Sequence, residues 1–239
     1  MQRAMSLMAD LERKARGSGA RIAYPEPHDP RIVEAAAAVA ARRIATPVLV
    51  GPPETLPADL PDGVEAEPVE DSDRLAELAA CYAESRGVKE KIARRLITRG
   101  LVYGAMMVRC GHADGMVAGI AHATASVLQA AGLAIGYAEG VAAPSSCFIM
   151  VLPELYGRRD VAVIFADCAV AVDPDAEELA AIAVASARSA RQFLGVTPRV
   201  AMLSFSTAGS AAHPLVDKVK KATELAAAQM RDGYVEGEL

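Results

Sequence analysis

The chain has 239 residues, of which 52% are hydrophobic, and a formal net charge of −5. This acidic balance argues against nucleic acid or an anionic membrane surface as the main partner. No apolar run is long enough to cross a bilayer, and the N-terminal stretch lacks the apolar segment of a secretory signal. The scattered cysteines and histidines form no ligand-spaced cluster, so we expect no metal site and reduced thiols in a cytoplasmic protein.

The first half of the chain alternates short apolar runs with helical patterns. Strands are predicted at residues 21–24, 46–50, 64–69 and 114–119, and helices at residues 2–16, 30–43, 71–85, 88–98, 101–110 and 122–135. The run at 64–69 alternates apolar with acidic residues, which is typical of a half-exposed edge strand. Residues 136–146, rich in Gly, Ala, Pro and Ser, look like a crossing between two halves.

The second half continues the alternation. Residues 147–152 and 161–166 are very apolar, which predicts parallel strands covered on both faces. Asp173, followed by Pro174, predicts the start of a helix that Gly195 ends. The whole pattern predicts an α/β fold with a largely parallel sheet, divided into lobes at residues 1–138 and 139–239. A cleft between two lobes would suit a small-molecule site.

One stretch, RVAMLSFSTAGSAAHP at residues 199–214, combines three signals. An apolar strand leads into a loop of small and hydroxyl residues, and Pro214 then opens a helix. Ligands of open α/β sheets bind at the carboxyl ends of strands, where backbone N–H groups and a helix N-terminus attract anions. The alternative is a tight turn whose small residues serve packing alone.

Three further places could carry chemistry. A glycine-bounded strand at 115–119 runs into a helix start that carries His122 and Thr124, again a geometry suited to anions. Asp167 follows an apolar strand and could be a base or a structural anchor. Arg86 ends a helix, and its planar guanidinium could grip an oxyanion or simply face solvent.

Four stretches resemble one known family, the phosphate acetyl/butyryl transferases. They read RIAYPEPHDPRIVEAA, YGAMMVRCGHADGMVAGIAHATA, FADCAVAVDPDAEELAAIAVASA and VAMLSFSTAGSAAHPLVDKVKKA. The resemblance covers residues 21–239, nearly the whole chain. It implies a two-lobed, three-layer α/β/α fold like that of the isocitrate and isopropylmalate dehydrogenases. It also implies reversible transfer of an acetyl group between acetyl phosphate and coenzyme A, a reaction of acetate metabolism. The enzyme is expected to be a homodimer. Coenzyme A would be a substrate, with no permanently bound cofactor and no metal.

The resemblance also implies which residues bind substrate. Arg86 would contact phosphate or coenzyme A. The acetyl phosphate site would be lined by residues from two loops: His122, Thr124, Ser206, Thr207, Gly209 and Ser210.

The chain departs from the family pattern in two ways. Family members carry an arginine where this chain has Gln129, and a serine is common where it has Ala123. Glutamine donates hydrogen bonds but carries no charge. The chain ends at Leu239, whereas family sequences continue into a segment with a serine-arginine pair and a proposed catalytic aspartate. The first lobe is therefore expected to be incomplete and the usual base to lie beyond Leu239, with Asp167 the first candidate within the chain.

Two alternatives to acetyl transfer remain open at the level of sequence. One is a non-catalytic domain that senses acyl-coenzyme A or acyl phosphate. The other is a phosphate acyltransferase for a different small acyl group, such as butyryl.

Overall fold

The computed structural model describes residues 7–70, 72–139, 141 and 143–239. Contacts between residues divide the chain into two compact units. One unit comprises residues 10–136, and the other comprises residues 137–239 together with the start of the chain up to Ala9. Both contain helices and parallel strands, so the predicted α/β class is confirmed.

The described chain up to residue 136 contains one sheet and six α-helices, the first of which begins at Leu7, just before the first unit. The strands are β1 (Arg21–Tyr24), β2 (Thr46–Gly51), β3 (Glu65–Pro68) and β4 (Gly115–Met116). The helices up to residue 136 are α1 (Leu7–Ala15), α2 (Pro30–Ala41), α3 (Asp73–Arg86), α4 (Glu90–Ile97), α5 (Gly100–Arg109) and α6 (Thr124–Ala134). The predicted helices are thus present, although residues 2–6 and Asp71 lie outside the described part of the chain.

The sheet is parallel, with strand order β3-β2-β1-β4. The acidic run predicted as an edge strand does form the edge, as β3. β4 is shorter than the strand predicted at 114–119. The N–H of Val117 still donates to the carbonyl of Ala23, but the N–H groups of Gly119 and Ile120 donate to the side chain of Glu26 instead of to β1.

Helices cover both faces of this sheet. Val48 and Val50 are fully buried in a core formed with α3, α4 and α5. Leu49, between them, points to the opposite face and packs with Ile32 and Ala36 of α2. Alternate residues of a strand point to opposite faces, so a continuous apolar run is what a doubly covered strand requires. Burial of each such side chain stabilises the fold by about 1.5–3 kcal/mol.

The second unit contains a hairpin and a smaller α/β layer. Its elements are β5 (Cys147–Leu155), β6 (Arg158–Ala166), α7 (Ala176–Ser189), β7 (Arg199–Met202), α8 (Pro214–Gln229) and β8 (Tyr234–Gly237). β7 and β8 are parallel neighbours. Alanines of α7 and α8, among them Ala180 and Ala222, pack closely over Met202.

The prediction of parallel strands at 147–152 and 161–166 was wrong. β5 and β6 pair antiparallel and are joined by Tyr156 and Gly157, both with positive φ. Two residues with positive φ form the tight turn that suits the twist of a hairpin. Phe148 and Phe165, which face each other across the hairpin, are each 55% exposed. An apolar run alone does not distinguish a buried parallel strand from an exposed hairpin.

The predicted cap of α7 was displaced by two residues. Asp175, and not Asp173, accepts from the backbone N–H of Glu178, and the Glu178 carboxylate accepts from the N–H of Asp175. This reciprocal pair satisfies two N–H groups at the helix start, whereas Asp173 pairs with Lys218. The helix predicted from residue 30 does begin there, because Asp29 caps α2 and Pro30 is its first residue.

Candidate active site

A buried carboxylate organises the loop between β4 and α6. Glu26 follows β1 and is fully buried. Its Oε2 accepts hydrogen bonds from the N–H groups of Gly119 (2.8 Å) and Ile120 (3.0 Å). Its Oε1 lies 2.9 Å from the N–H of Ala121 and 2.7 Å from Nδ1 of His122. Because β1 and β4 are parallel neighbours, their carboxyl ends meet at one sheet edge, and the carboxylate reaches the adjacent loop.

These contacts fix the charge of Glu26. Burial raises its pKa, but the hydrogen bonds from His122 and three backbone N–H groups outweigh burial and lower the pKa to about 2. Glu26 is therefore ionised at neutral pH and can only accept hydrogen bonds, so Nδ1 of His122 is the donor. The sequence shows Glu26 only as an acid between two prolines, with nothing to indicate its burial.

His122 and Thr124 lie where the sequence predicts them, at the start of α6. The His122 side chain is 39% exposed, and its ring meets the ring of His28 edge-on at 6.4 Å. Thr124 is the first residue of α6 and is exposed, as is Gln129 in the same helix. The structure thus brings these candidates together on one helix and the loop before it.

Arg86 binds the other end of α6. Its Nε and Nη2 donate to the carbonyls of Leu133 (3.0 Å) and Gly132 (2.8 Å). Arg109 acts in the same way, because its Nη1 donates to the carbonyl of Ile135 at 3.1 Å. Cations that bind the last carbonyls of a helix stabilise that end. Arg86 therefore has a structural role that the sequence does not reveal.

In the second unit, the hydroxyl-rich loop is held by Glu238, directly after β8. Ser206 is fully buried, and its Oγ donates to Oε1 of Glu238 at 2.8 Å while accepting from the N–H of Ala211 at 3.1 Å. The N–H of Gly209 also donates to Oε1. Gly209 has φ +84, a conformation that favours glycine.

The neighbouring hydroxyls of this loop are more accessible. Thr207 and Ser210 are exposed, and Oγ of Ser210 accepts from the N–H of Thr207 at 3.0 Å. Within the described chain, Oε2 of Glu238 is buried without a hydrogen-bond partner. Burial raises the pKa of Glu238, but hydrogen bonds from Gly209 and Ser206, with Lys220 nearby, hold it below the ordinary value.

Asp167 lies just beyond β6, and its carboxylate is fully engaged. Oδ1 accepts from the Ser146 hydroxyl at 2.7 Å and from the N–H groups of Ala169 and Val170, while Oδ2 accepts from the N–H of Ser146. Burial raises its pKa, but these hydrogen bonds hold the pKa far below the usual range. Such a carboxylate anchors the loop after β6 and is poorly suited to removing a proton.

Two cavities lie away from the candidate residues. Two surface cavities of about 590 and 420 Å³ are lined by Arg16, Gly17, Ala41, Arg42 and Arg43, and by Thr197, Pro198, Arg199, Gly233, Tyr234 and Glu236, respectively. Neither contains a candidate site residue. Over the described residues, no group of three or more His, Cys, Asp or Glu side chains is arranged to hold a metal ion.

The hydroxyl- and histidine-bearing loops lie at the carboxyl ends of parallel strands, which is where open α/β sheets bind their ligands. The chain belongs to the family described as phosphate acetyl/butaryl transferase, whose model matches residues 6–239. The match contains both loops described above.

Relatives support the assignment along almost the whole chain. The phosphate acetyltransferase of Thermoanaerobacterium thermosaccharolyticum is 41% identical over 98% of this chain and 74% of that protein. A phosphotransacetylase structure from Streptococcus pyogenes is 33% identical, with a TM-score of 0.86 over 98% of this chain and 72% of that one. A branched-chain phosphotransacylase structure from Enterococcus faecalis, 15% identical with a TM-score of 0.59 over 92% of this chain and 68% of that one, is similar in fold.

Proposed function

We propose that this protein is a phosphate acetyltransferase, which transfers an acetyl group reversibly between acetyl phosphate and coenzyme A. The observation that carries the proposal is the extent of the relationship. Relatives named phosphate acetyltransferase are 36–41% identical over 98% of the chain. Both candidate loops lie inside that span, each held at the end of a parallel strand by a buried carboxylate.

The reaction needs a nucleophile and a stabilised leaving group. The coenzyme A thiol must lose its proton, because the thiolate is the nucleophile and a free thiol has a pKa of about 8.5. The sulfur attacks the carbonyl carbon of acetyl phosphate, and phosphate leaves. Fixed hydrogen-bond donors that face the developing charge lower the barrier. The products, acetyl-coenzyme A and phosphate, both leave after turnover, and the proposal requires neither a permanent cofactor nor a metal.

We assign the substrate contacts to the exposed groups of the two loops. The exposed hydroxyls of each loop would bind substrate oxygens, with Thr124 at the start of α6 and Thr207 and Ser210 in the loop before α8. Ser206 and Gly209 would shape the second loop, since both are bound to Glu238. Gln129 would contribute a neutral donor.

Arg86 is proposed to contact phosphate or coenzyme A with the guanidinium N–H groups that are not bound to α6. A guanidinium has five N–H donors in all, and the two hydrogen bonds to the carbonyls of α6 leave the others available.

The test is an assay of acetyl-coenzyme A formation from acetyl phosphate and coenzyme A, monitored by the absorbance of the thioester. We expect turnover with acetyl phosphate and slower turnover with butyryl phosphate. Binding of coenzyme A without any turnover would favour a sensor instead. Faster turnover with butyryl phosphate would assign the protein to the longer acyl group.

The finer organisation is also part of the proposal. We propose lobes at residues 1–138 and 139–239, a three-layer arrangement like that of the isocitrate and isopropylmalate dehydrogenases, and a cytoplasmic enzyme of acetate metabolism. In the described chain, no helix is both long enough and apolar enough to span a membrane.

A homodimer is proposed as the assembly. The exposed aromatic pair Phe148 and Phe165 on the hairpin supports association, because large exposed apolar patches commonly mark interfaces. Sedimentation of the wild type and of Phe148→Asp tests it. A dimer that Phe148→Asp dissociates supports this surface, and a monomeric wild type contradicts the assembly.

A further inference from the structure

We propose that Cys81 and Cys110 form a reversible thiol–disulfide pair, which a low-molecular-weight disulfide such as oxidised glutathione converts into a bridge between α3 and the end of α5. The proposal goes beyond acetyl transfer and does not depend on it. It concerns two thiols that are 29 positions apart in the sequence and that the fold brings into direct contact.

The two cysteines come from helices that pack against each other. Cys81 lies within α3, and Cys110 directly follows the last residue of α5. The Sγ atoms of the two residues are 3.0 Å apart, and both thiols are free. Thiols in direct contact need little movement to form a bond, whereas cysteines on diverging elements cannot be joined without displacing the backbone.

Both side chains lie at the boundary of the core. Each is half-buried and packs against the large apolar core of the first unit. The residues on either side of Cys110, Arg109 and Gly111, are exposed. A partly exposed thiol can react with a small reagent, whereas a fully buried one is inert. The position of the pair therefore permits oxidation of the folded protein.

The surroundings of the pair indicate which sulfur reacts first. Burial and the adjacent Cys81 thiol raise the pKa of the Cys110 thiol well above its ordinary value. The Glu77 carboxylate, which His112 contacts at 2.7 Å, acts in the same direction, and Arg109 opposes it. Cys110 is therefore protonated at neutral pH, and the first attack is assigned to Cys81. Because the second thiol must still lose its proton, we expect an exchange that takes hours.

The exchange consists of two balanced steps. The Cys81 thiol loses its proton to solvent, its sulfur attacks one sulfur of oxidised glutathione, and the first glutathione leaves as a thiolate that takes up a proton. The Cys110 thiol then loses its proton, and its sulfur attacks Sγ of Cys81 and expels the second glutathione in the same way. Two cysteine thiols are oxidised to one disulfide, and one glutathione disulfide is reduced to two thiols.

The bridge joins the two segments that hold the end of α6. Arg86 ends α3, five residues after Cys81, and Arg109 immediately precedes Cys110. Both arginines donate to carbonyls at the end of α6. A covalent link between α3 and α5 restrains the two arginines relative to each other and also restricts the unfolded chain, so it should stabilise this cluster of three helices.

A bridge of this kind differs from the permanent disulfides of secreted proteins. Disulfides inside cells are transient, because thiol systems such as glutathione keep cysteines reduced. In the cytoplasmic enzyme proposed above, the pair is expected to be reduced under ordinary conditions and to close when oxidised glutathione accumulates. Dithiothreitol should therefore open the bridge again.

The test uses the double variant Cys147→Ser/Cys168→Ser, which keeps only the proposed pair among the four cysteines. The folded protein is incubated for hours with millimolar oxidised glutathione at a pH of about 8.5, near the pKa of an ordinary thiol. We expect both thiols to disappear, the mass to fall by two hydrogen atoms, and a tryptic digest to contain one peptide pair linked through Cys81 and Cys110. Digestion of oxidised wild type gives the same readout without the double variant.

Thermal unfolding provides the second measurement. The bridged protein should melt about 5–15 °C above the reduced protein, because the cross-link constrains the unfolded chain. Cys110→Ser in the same background is the control. It can carry a glutathione adduct but no bridge, so oxidised glutathione should leave its Tm nearly unchanged.

Two results would overturn the proposal. One is folded protein that keeps both thiols, or that carries glutathione on them without a bridge, because the contact would then serve packing alone. The other is a bridge that leaves Tm unchanged or lowers it, because the native packing would then not accommodate the bond. Neither result affects the proposed acetyl transfer, which is measured separately on the reduced protein.

Discussion

Ser206 donates its hydroxyl hydrogen to Glu238 across a buried 2.8 Å hydrogen bond, and this contact fixes the loop between β7 and α8. Glu26 has the same relationship to the loop between β4 and α6. In both units the acid follows a strand and holds the loop after the parallel neighbour of that strand. The exposed hydroxyls and the histidine of these loops therefore owe their positions to two buried carboxylates.

Ser206→Ala should lower the free energy of unfolding by about 1–3 kcal/mol, because it leaves the buried Glu238 carboxylate with the N–H of Gly209 but without the hydroxyl donor. Thr207→Ala, at the exposed neighbour, should change it by less than about 0.5 kcal/mol. Urea denaturation measures both. The affinity of the folded protein for acetyl phosphate should fall more in Thr207→Ala than in Ser206→Ala. Equal stability of the two variants would contradict the role of Ser206.

Glu26→Gln should destabilise the protein in a pH-dependent way. The pKa of Glu26 is lowered from 4.5 to about 2 in the folded state, so its contribution is fully present above about pH 4.5. That contribution is lost as the pH falls toward 2. The difference in Tm between wild type and variant should therefore be largest near neutral pH and shrink in acid. Glu34→Gln, at an exposed position of α2, is the control and should show no such trend.

Arg86 and Arg109 provide a matched pair, since both bind carbonyls at the end of α6. Replacement of either by Gln should cost about 1–2 kcal/mol of stability. If Arg86 also contacts substrate, Arg86→Gln should weaken phosphate binding while Arg109→Gln does not. Calorimetric titration of phosphate into both variants decides this. Identical phosphate affinities would restrict Arg86 to its structural role.

Gln129→Arg should tighten phosphate binding by about fivefold to tenfold, because a charge-assisted hydrogen bond replaces a neutral one. The position is exposed, so an arginine can be accommodated. Gln192→Arg adds the same charge at an exposed position in the other unit and serves as the control. An equal gain in both variants would indicate a general charge effect, and no gain at Gln129 would place it away from phosphate.

The sequence predicts the local features of this fold well. β1, β2 and the capped start of α2 follow from short apolar runs and from Asp29-Pro30, whose effects operate within a few residues. The antiparallel pairing of β5 with β6 is harder to predict from the sequence. An apolar run is compatible with either strand direction, and the decisive turn at Tyr156-Gly157 has no asparagine or aspartate to signal it.

The candidate site is predictable only in part. His122 and the hydroxyl loop stand out because small residues, glycine and proline mark strand-to-helix turns. Glu26 and Glu238 do not stand out, because an acid in the sequence reveals nothing about burial. The sequence does not reveal that Arg86 caps α6 either, because the residues that this contact joins are 46 and 47 positions apart.

The long separation between Glu26 and the loop it holds has a kinetic consequence. The N–H groups that bind Glu26 lie 93 to 95 positions away, so the loop cannot take its shape until β1 and β4 have paired. Non-local contacts of this kind form after local helices during folding. When the denatured protein is diluted into buffer, ligand binding at the start of α6 should therefore return later than the circular dichroism signal of the helices. Recovery of ligand affinity then reports that folding is complete.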